Sequence, residues 1–268
     1  MIALPCNERN HLLDALPVDD YEHLLPHLEL IPMALGTVLH EPGDDLHYAY
    51  FPTTCIVAML YEMENGASAE IAIVGNEGMI GVALFMGSGR MVNRAVVVSP
   101  GYAYRIKSRF FMPVFNQYTS LFRLILLYTQ ALMTQMSQTA VCNRYHVVEQ
   151  QLCRWILQCL DRLASNELSM TQELIATMLG VRRESVTEAA MKLQQAGLID
   201  YRRGHITMLD RAALEARVCE CYQVVKMEFD RLLPYTPSGH SSATLTQSLS
   251  PLFNRETNEL SLTLEQVE

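Results

Sequence analysis

From Leu28 onward the chain breaks into short apolar runs, "LELIPMALGTVLHEPGDDLHYAYFPTTCIVAMLYEMENGASAEIAIVGNEGMIGVALF", cut by glycine, proline and Asp/Asn. That texture predicts many short strands closed into a β-barrel or roll. Ahead of it, Leu12, Leu13 and Leu16 with a break at Pro17 predict short helices between Asn10 and His27. Asn65-Gly66 predicts a hairpin, because both central residues of a tight two-residue turn take positive φ. "RAVVVSPGYAYRIK" predicts a further strand pair about Pro100-Gly101. After Ser108 the period becomes helical. Leu121, Leu124, Tyr128, Leu132, Gln135, Thr139 and Cys142 fall at three- and four-residue steps and predict a helix over Thr119–Arg144. Its apolar stripe spreads around much of the circumference, so it needs cover on both sides. The roll supplies one side. A second copy of the helix supplies the other most simply, as a parallel seam; the alternative is a core helix of a monomer.

Beyond it, Leu152, Trp155, Ile156, Cys159, Leu160 and Leu163 make one amphipathic stripe, and "NELSM" is a linker or short strand. From Pro234 the composition turns to serine, threonine, proline and glutamate, predicting a flexible tail with at most a short docking segment at Leu249–Phe253.

The segment "TQELIATMLGVRRESVTEAAMKL" fits a helix-turn-helix. Ala176 is small where two helices cross. Gly180 tolerates positive φ at the turn, and Val186 anchors the second helix. Ile175, Leu179, Val181 and Ala189 face the core, and Thr171 caps the first helix and is a candidate DNA contact. The second helix then begins near Arg182, and its first turns enter a DNA major groove. Arg182, Arg183, Glu184 and Ser185 lead it, followed by Thr187, Glu188 and Lys192. Arginine takes a guanine edge bidentately and glutamate accepts from cytosine, whereas Ser, Thr and Lys more often hold phosphate. "AGLIDYRRGHITML" reads as a helix end and a hairpin whose tip, Arg202-Arg203-Gly204, grips backbone phosphate. The unit is a winged helix.

Charge alters this picture less than it first suggests. The chain has 268 residues and a formal charge of −9, which disfavours indiscriminate nucleic-acid binding but permits a local basic surface. Between Ser165 and Met208 five acids and five bases balance, so the acidity lies elsewhere. The start has no basic n-region and no long apolar core, so no secretory signal is read. The uncharged stretch Leu124–Asn143 has membrane length, yet its glutamines and threonines favour a buried interface helix. Seven cysteines without a secretory signal point to free thiols in a reducing cytoplasm.

The order of these parts resembles the Crp–Fnr family (cyclic-AMP receptor protein and fumarate-nitrate regulator) of bacterial transcription factors. The likeness covers about Leu12 to Phe229. It rests on "HEPGDDLHYAYFP", "NEGMIGVALF", the long helix and, most diagnostically, "MTQELIATMLGVRRESVTEAAMKLQQAGLIDYRRGHITML". It implies an α+β fold. A cyclic-nucleotide-binding-like β-roll with short N-terminal helices would take 1–118, a dimerisation helix 119–145, and a winged helix-turn-helix 146–233, with the tail at 234–268. It implies a cytoplasmic homodimer, with no membrane partner, on a two-fold symmetric site in double-stranded DNA. RNA polymerase is a further partner if the outcome is activation. The effector pocket would involve Gly81, Val82, Asn93, Arg94, Ala95 and, on the long helix, Gln138.

The departures from the family pattern bear on that pocket. Members that bind cyclic AMP carry a Gly-Glu pair for the ribose and an Arg-Ser/Thr-Ala run for the phosphate. Here the first reads Gly81-Val82 and the second Asn93-Arg94-Ala95, with the arginine shifted one place. On a strand that shift turns the side chain to the other face, and a phosphate without arginine loses its strongest bonds. Cyclic AMP is therefore not expected in the usual mode, and the effector is unknown. In the reading helix Glu184 matches the family's glutamate, but Glu188 stands where members place arginine, so a non-standard half-site is expected.

Iron–sulfur sensing needs four thiolates, and only Cys6 lies near the N-terminus. His40, His47 and Cys55 are haem-ligand candidates more in keeping with structural or exposed roles. Cys219 and Cys221 form a C-x-C on a helix, weak as a metal site because two ligands do not fill a shell; no metal is expected. A cupin-like enzyme needs converging histidines and a carboxylate, which His40 and His47 alone do not supply. No nucleophile elbow or phosphate loop is present, and no catalysis is expected. A ligand-binding or protein-interaction module whose winged helix no longer binds DNA is the competing reading.

Overall fold

The computed structural model describes residues 9–117 and 119–234, so the expectations on the tail, its docking segment and Cys6 lie outside the described residues. Two short helices, α1 (His11–Asp14) and α2 (Val18–Leu24), and a 3-10 turn open the chain. Asn10 caps α1 by accepting from Leu12 and Leu13, and its amide donates to Pro52 and Gly78 carbonyls, pinning the N-terminus to the roll. Strands β1 (Glu29–Met33), β2 (Val38–His40), β3 (Tyr48–Pro52), β4 (Ile56–Glu62) and β5 (Ser68–Val74) follow. A short α3 (Ala83–Met86) then leads to β6 (Arg94–Ser99) and β7 (Gly101–Lys107). They form two antiparallel sheets, ordered β1-β7-β3 and β2-β6-β4-β5.

Two local expectations are corrected. The turn at Asn65-Gly66 is longer than two residues: Met63 N–H bonds Ala67 O, and only Gly66 takes positive φ, at 81°. Asn65 instead accepts from Ala67 N–H through its side chain, so the glycine alone meets the left-handed requirement. The strands flanking Pro100-Gly101 do not pair with each other. β6 joins β4 and β2, while β7 crosses to the other sheet between β1 and β3. A Cβ on Gly101 would stand 2.6 Å from the Thr54 backbone, so the crossover needs a residue without one.

The four-stranded sheet is a wall between two cores. Val57, Met59, Ala72, Val74, Ala95 and Val97 face the roll interior. Ile56, Ala58, Leu60, Ile73 and Val98, from the alternate positions, face the C-terminal half. A sheet buried on both faces needs no polar alternation, which is why "CIVAML" and "IAIV" read as continuous apolar runs.

Helix α4 (Ser108–Gln117) leads to the long α5 (Thr119–Tyr145). Here the stripe assigned to a dimer seam is corrected. Leu121, Tyr128, Leu132, Gln135, Thr139 and Cys142 are buried within the chain, and Leu124 is half-buried against the roll core. Tyr128 donates its hydroxyl to Met79 O at 2.9 Å, and Gln135 its amide to Ile73 O at 3.1 Å. No helix among the described residues is long and apolar enough to cross a membrane. Next come α6 (Val148–Leu160), β8 (Glu167–Ser169), α7 (Gln172–Leu179), α8 (Arg183–Gln195), β9 (Ile199–Arg202), β10 (His205–Met208), α9 (Arg211–Arg217) and α10 (Glu220–Leu232). Helix α6 is buried throughout from Gln151 to Leu160 and fills the space between wall and winged helix. Each large apolar side chain it buries is worth about 1.5–3 kcal/mol relative to exposure. Polar ties cross the same seam: Trp155 Nε1 donates to Glu70 at 2.9 Å, and Arg162 pairs with Glu77 at 2.7 Å.

Candidate nucleic-acid interface

The turn between α7 and α8 is built from a few obligatory positions. Thr171 Oγ1 accepts from Leu174 N–H at 3.2 Å and caps α7. Gly180 ends it at φ 64°, ψ 32°, a left-handed conformation that costs a residue with a Cβ about 1–2 kcal/mol. Ala176 and Val186 are buried at 4% and 0% exposure, which sets how closely the two helices cross. Arg182 is extended and serves as N-cap, so α8 itself starts at Arg183.

The outward face of α8 carries Arg183, Glu184, Glu188, Met191 and Lys192, with Arg182 just ahead and Ser185 and Thr187 half-buried beside it. Thr187 donates to Gln172 Oε1 at 2.8 Å and is committed to the α7–α8 contact rather than free for phosphate. Several charges lean on partners. Glu188 meets Lys192 at 2.8 Å, Arg202 meets Asp200 at 3.0 Å, and Arg183 lies 3.9 Å from Glu173. The hydrogen bond from Lys192 holds the Glu188 carboxyl below its usual range, so the two charges offset each other on the open face of α8. Arg182 and Arg203 have no ion-pair partner among the described residues. Sequence reasoning passed over Met191, which is 54% exposed on the same face; its signal was an apolar residue off the core stripe.

Strands β8, β10 and β9 form the wing, a three-stranded antiparallel sheet. Its tip is a two-residue turn with Arg203 at φ 50° and Gly204 at φ 82°, the pair of positive φ values that such a hairpin takes. Arg203 is therefore held outward on a strained backbone.

The residues expected around an effector lie on the roll and on α5. Gly81, at φ 109°, lies where a Cβ would stand 3.1 Å from Tyr48 O, and Val82 packs in the roll core with Ala95. Asn93 is buried. Arg94 starts β6 on the face shared with Val96 and Val98, opposite Ala95 and Val97, and pairs with Glu41 at 3.2 Å. Gln138 is half-buried on α5. A cleft of about 430 Å³ opens along β2 and β3, lined by His40, Asp44, Asp45, His47, Tyr48 and Tyr50. Its two carboxylates make it a poor seat for an anion. Burial pushes the His40 imidazole below its ordinary pKa.

The view of Cys219 and Cys221 as an isolated pair is also corrected. Cys142 and His146, at the end of α5, join them, and the four candidate ligand atoms lie within 4.8 Å of one another. Cys142 thus faces α10, not a partner helix.

A turn of this geometry, with an exposed second helix and a basic wing tip, defines a winged helix-turn-helix unit. Residues 150–217 match the family model of the Crp-like helix-turn-helix domain. No curated protein matches the chain. Among solved structures, it is similar to a crp/fnr-family regulator from Eubacterium rectale (TM-score 0.60, 17% identity, 77% of this chain and 96% of that one). It is also similar to FixK2 from Bradyrhizobium japonicum (0.61, 13%, 72% and 98%). A third is the c-di-GMP-responsive global regulator CLP from Xanthomonas campestris (0.56, 17%, 72% and 100%). Residues 150–217 thus match a Crp-like helix-turn-helix domain, and the chain has the fold of the crp/fnr-family regulators it is similar to.

Proposed function

We propose that the chain acts as a homodimer that reads a two-fold symmetric duplex through α8. The observation that carries this reading is the basic start of α8, Arg182 and Arg183, exposed on a helix whose opposite face is buried through Val186, Ala189, Ala190 and Leu193. Arg182 and Arg183 supply base or phosphate contacts, Glu188 a cytosine-type acceptor once Lys192 swings to phosphate, and Arg203 a wing contact. Two copies join along the face of α5 that the chain leaves open. Phe122, Leu126, Met133 and Val141 are 44%, 46%, 61% and 45% exposed there, at helical spacing. Cyclic AMP in the family's usual mode is not part of this reading: Arg94 is engaged with Glu41 on the outer face, and no carboxylate follows Gly81. RNA polymerase is the further partner if the outcome is activation.

The test is selection of duplex DNA from a random pool at about physiological salt, since salt sets the electrostatic part of affinity. The expected result is a palindrome with half-sites about one helical turn apart, enriched by the wild type and lost in Arg182→Ala/Arg183→Ala. Failure of the folded wild type to enrich any sequence, both alone and with cell-extract metabolites, would overturn the reading.

A further inference from the structure

We propose that Cys142, His146, Cys219 and Cys221 bind one zinc ion, which ties the end of the central helix α5 to the start of α10. Cys142 is on the last turn of α5. His146 lies one turn on, its N–H bonded to Cys142 O at 3.0 Å, so both side chains share a helix face. Cys219 is the N-cap of α10 and Cys221 is in its first turn. The three thiols are at most 3% exposed and form a small cluster of their own, apart from the two main cores.

The distances suit a single tetrahedral ion. Zinc binds thiolate at about 2.3 Å and imidazole at about 2.0–2.1 Å, which places neighbouring ligand atoms roughly 3.5–3.8 Å apart along the tetrahedron edges. Cys142 Sγ and Cys219 Sγ are 3.5 Å apart, and Cys221 Sγ and His146 Nδ1 are 3.6 Å apart. A disulfide needs its sulfurs at about 2.05 Å, so the 3.5 Å pair is not one. Iron–sulfur clusters carry a thiolate on each of several irons and need a wider cage.

The surroundings match a metal site as well. With Nδ1 turned inward, His146 presents Nε2 to Glu220 Oε2 at 3.4 Å, the carboxylate–histidine arrangement that fixes the tautomer of a zinc ligand. Gln151, buried on α6, donates to the carbonyls of Cys142 and His146 and fixes the end of α5. Three thiolates, a neutral imidazole and Zn²⁺ sum to a single negative charge. Arg154 is 1% exposed, with Nη1 on Thr139 and Gln158, and its charge acts on Cys142. It supplies the compensating positive charge that a buried anion requires. Four protein ligands leave no open position, so the site is structural, not catalytic. Up to three thiol protons leave to solvent as the Zn–S bonds form, so uptake is favoured as pH rises.

The full-length protein, freed of any affinity tag and kept reduced, is equilibrated with zinc, gel-filtered and assayed for metal by mass spectrometry. One ion per chain is expected, as is a tetrahedral thiolate spectrum when Co²⁺ replaces zinc. Cys219→Ser should lose the ion. Cys55→Ala, in the roll, should keep it, and so should Cys221→His, which preserves a ligand. Absence of bound metal in the folded wild type, or full retention by Cys219→Ser, overturns the proposal. Metal content is read without DNA, so the outcome is independent of the DNA-binding reading.

Discussion

Glu70 brings a carboxyl to the seam between roll and winged helix, 3% exposed and bonded to Trp155. Burial is the main reason its pKa rises to about 7; the Trp155 N–H and the charges of Arg154 and Arg162 oppose the rise. The folded protein therefore holds this proton more tightly than the unfolded chain, whose value is near 4.5. Below about 4.5 both states carry the proton and the seam has its full stability. As pH climbs toward 7 the unfolded chain loses the proton first, and stability falls. The whole effect is about 3 kcal/mol at roughly 1.4 kcal/mol per pKa unit. Glu70→Gln keeps an acceptor for Trp155 and removes the titration. Its melting temperature should exceed the wild type's at pH 8 and converge with it near pH 4.5. Equal differences at both values would show that Glu70 does not titrate in this window. A second residue-scale prediction concerns Arg162 and Glu77, which pair on the same seam. Glu77→Gln leaves a buried guanidinium without its counter-charge and should cost about 3–5 kcal/mol, read from urea denaturation.

At the scale of elements, the winged helix was the part most legible in the sequence. Ala176, Gly180 and Val186 each answer a steric demand that one residue type satisfies, so local chemistry named the turn. Gly180→Ala tests that. It places a Cβ in left-handed backbone and 3.3 Å from the Ala69 Cβ, and should destabilise by about 1–2 kcal/mol in urea denaturation. Helix α5 was legible as a helix but not in its partners. Its stripe announced burial, and nothing in a period of 3.6 distinguishes burial under a roll from burial under a second copy. The residues that remain open, Phe122, Leu126 and Met133, looked subordinate in sequence because the buried stripe was longer. Leu126→Glu/Met133→Glu should leave the fold intact, since both side chains are exposed, and shift the protein to monomer in analytical ultracentrifugation. A dimer unchanged by this pair would move the interface off α5. The cysteine cluster was illegible for another reason. Cys142 and Cys219 are far apart in sequence, and only the packing of α10 on α5 brings them together.

At the scale of the molecule, the proposed function asks an acidic chain to hold a polyanion, and what matters is where the free positive charge sits. The net charge is −9, yet an exposed charge beyond about 8–10 Å is largely screened at physiological salt, so distant acids weaken DNA binding little. Within the interface, Lys192, Arg202 and Arg183 each have an acid at hand, whereas Arg182 and Arg203 do not among the described residues. Arg182 and Arg203 should then carry much of the electrostatic affinity, because binding through them breaks no internal pair. Arg203→Gly is informative because it separates two effects. Glycine accepts the positive φ of the wing tip without strain, so thermal stability should hold or rise slightly. If Arg203 meets a phosphate, the slope of log K against log salt should fall in magnitude by about one per bound wing, with affinity lowered evenly across sequences. Arg182→Ala should lower affinity unevenly if that side chain reads a base edge, costing most at guanine-bearing half-sites. Anisotropy titrations over a salt series, on the selected palindrome and a scrambled duplex, would distinguish these roles. An unchanged slope in Arg203→Gly would place the wing tip off the DNA and leave α8 as the sole reader.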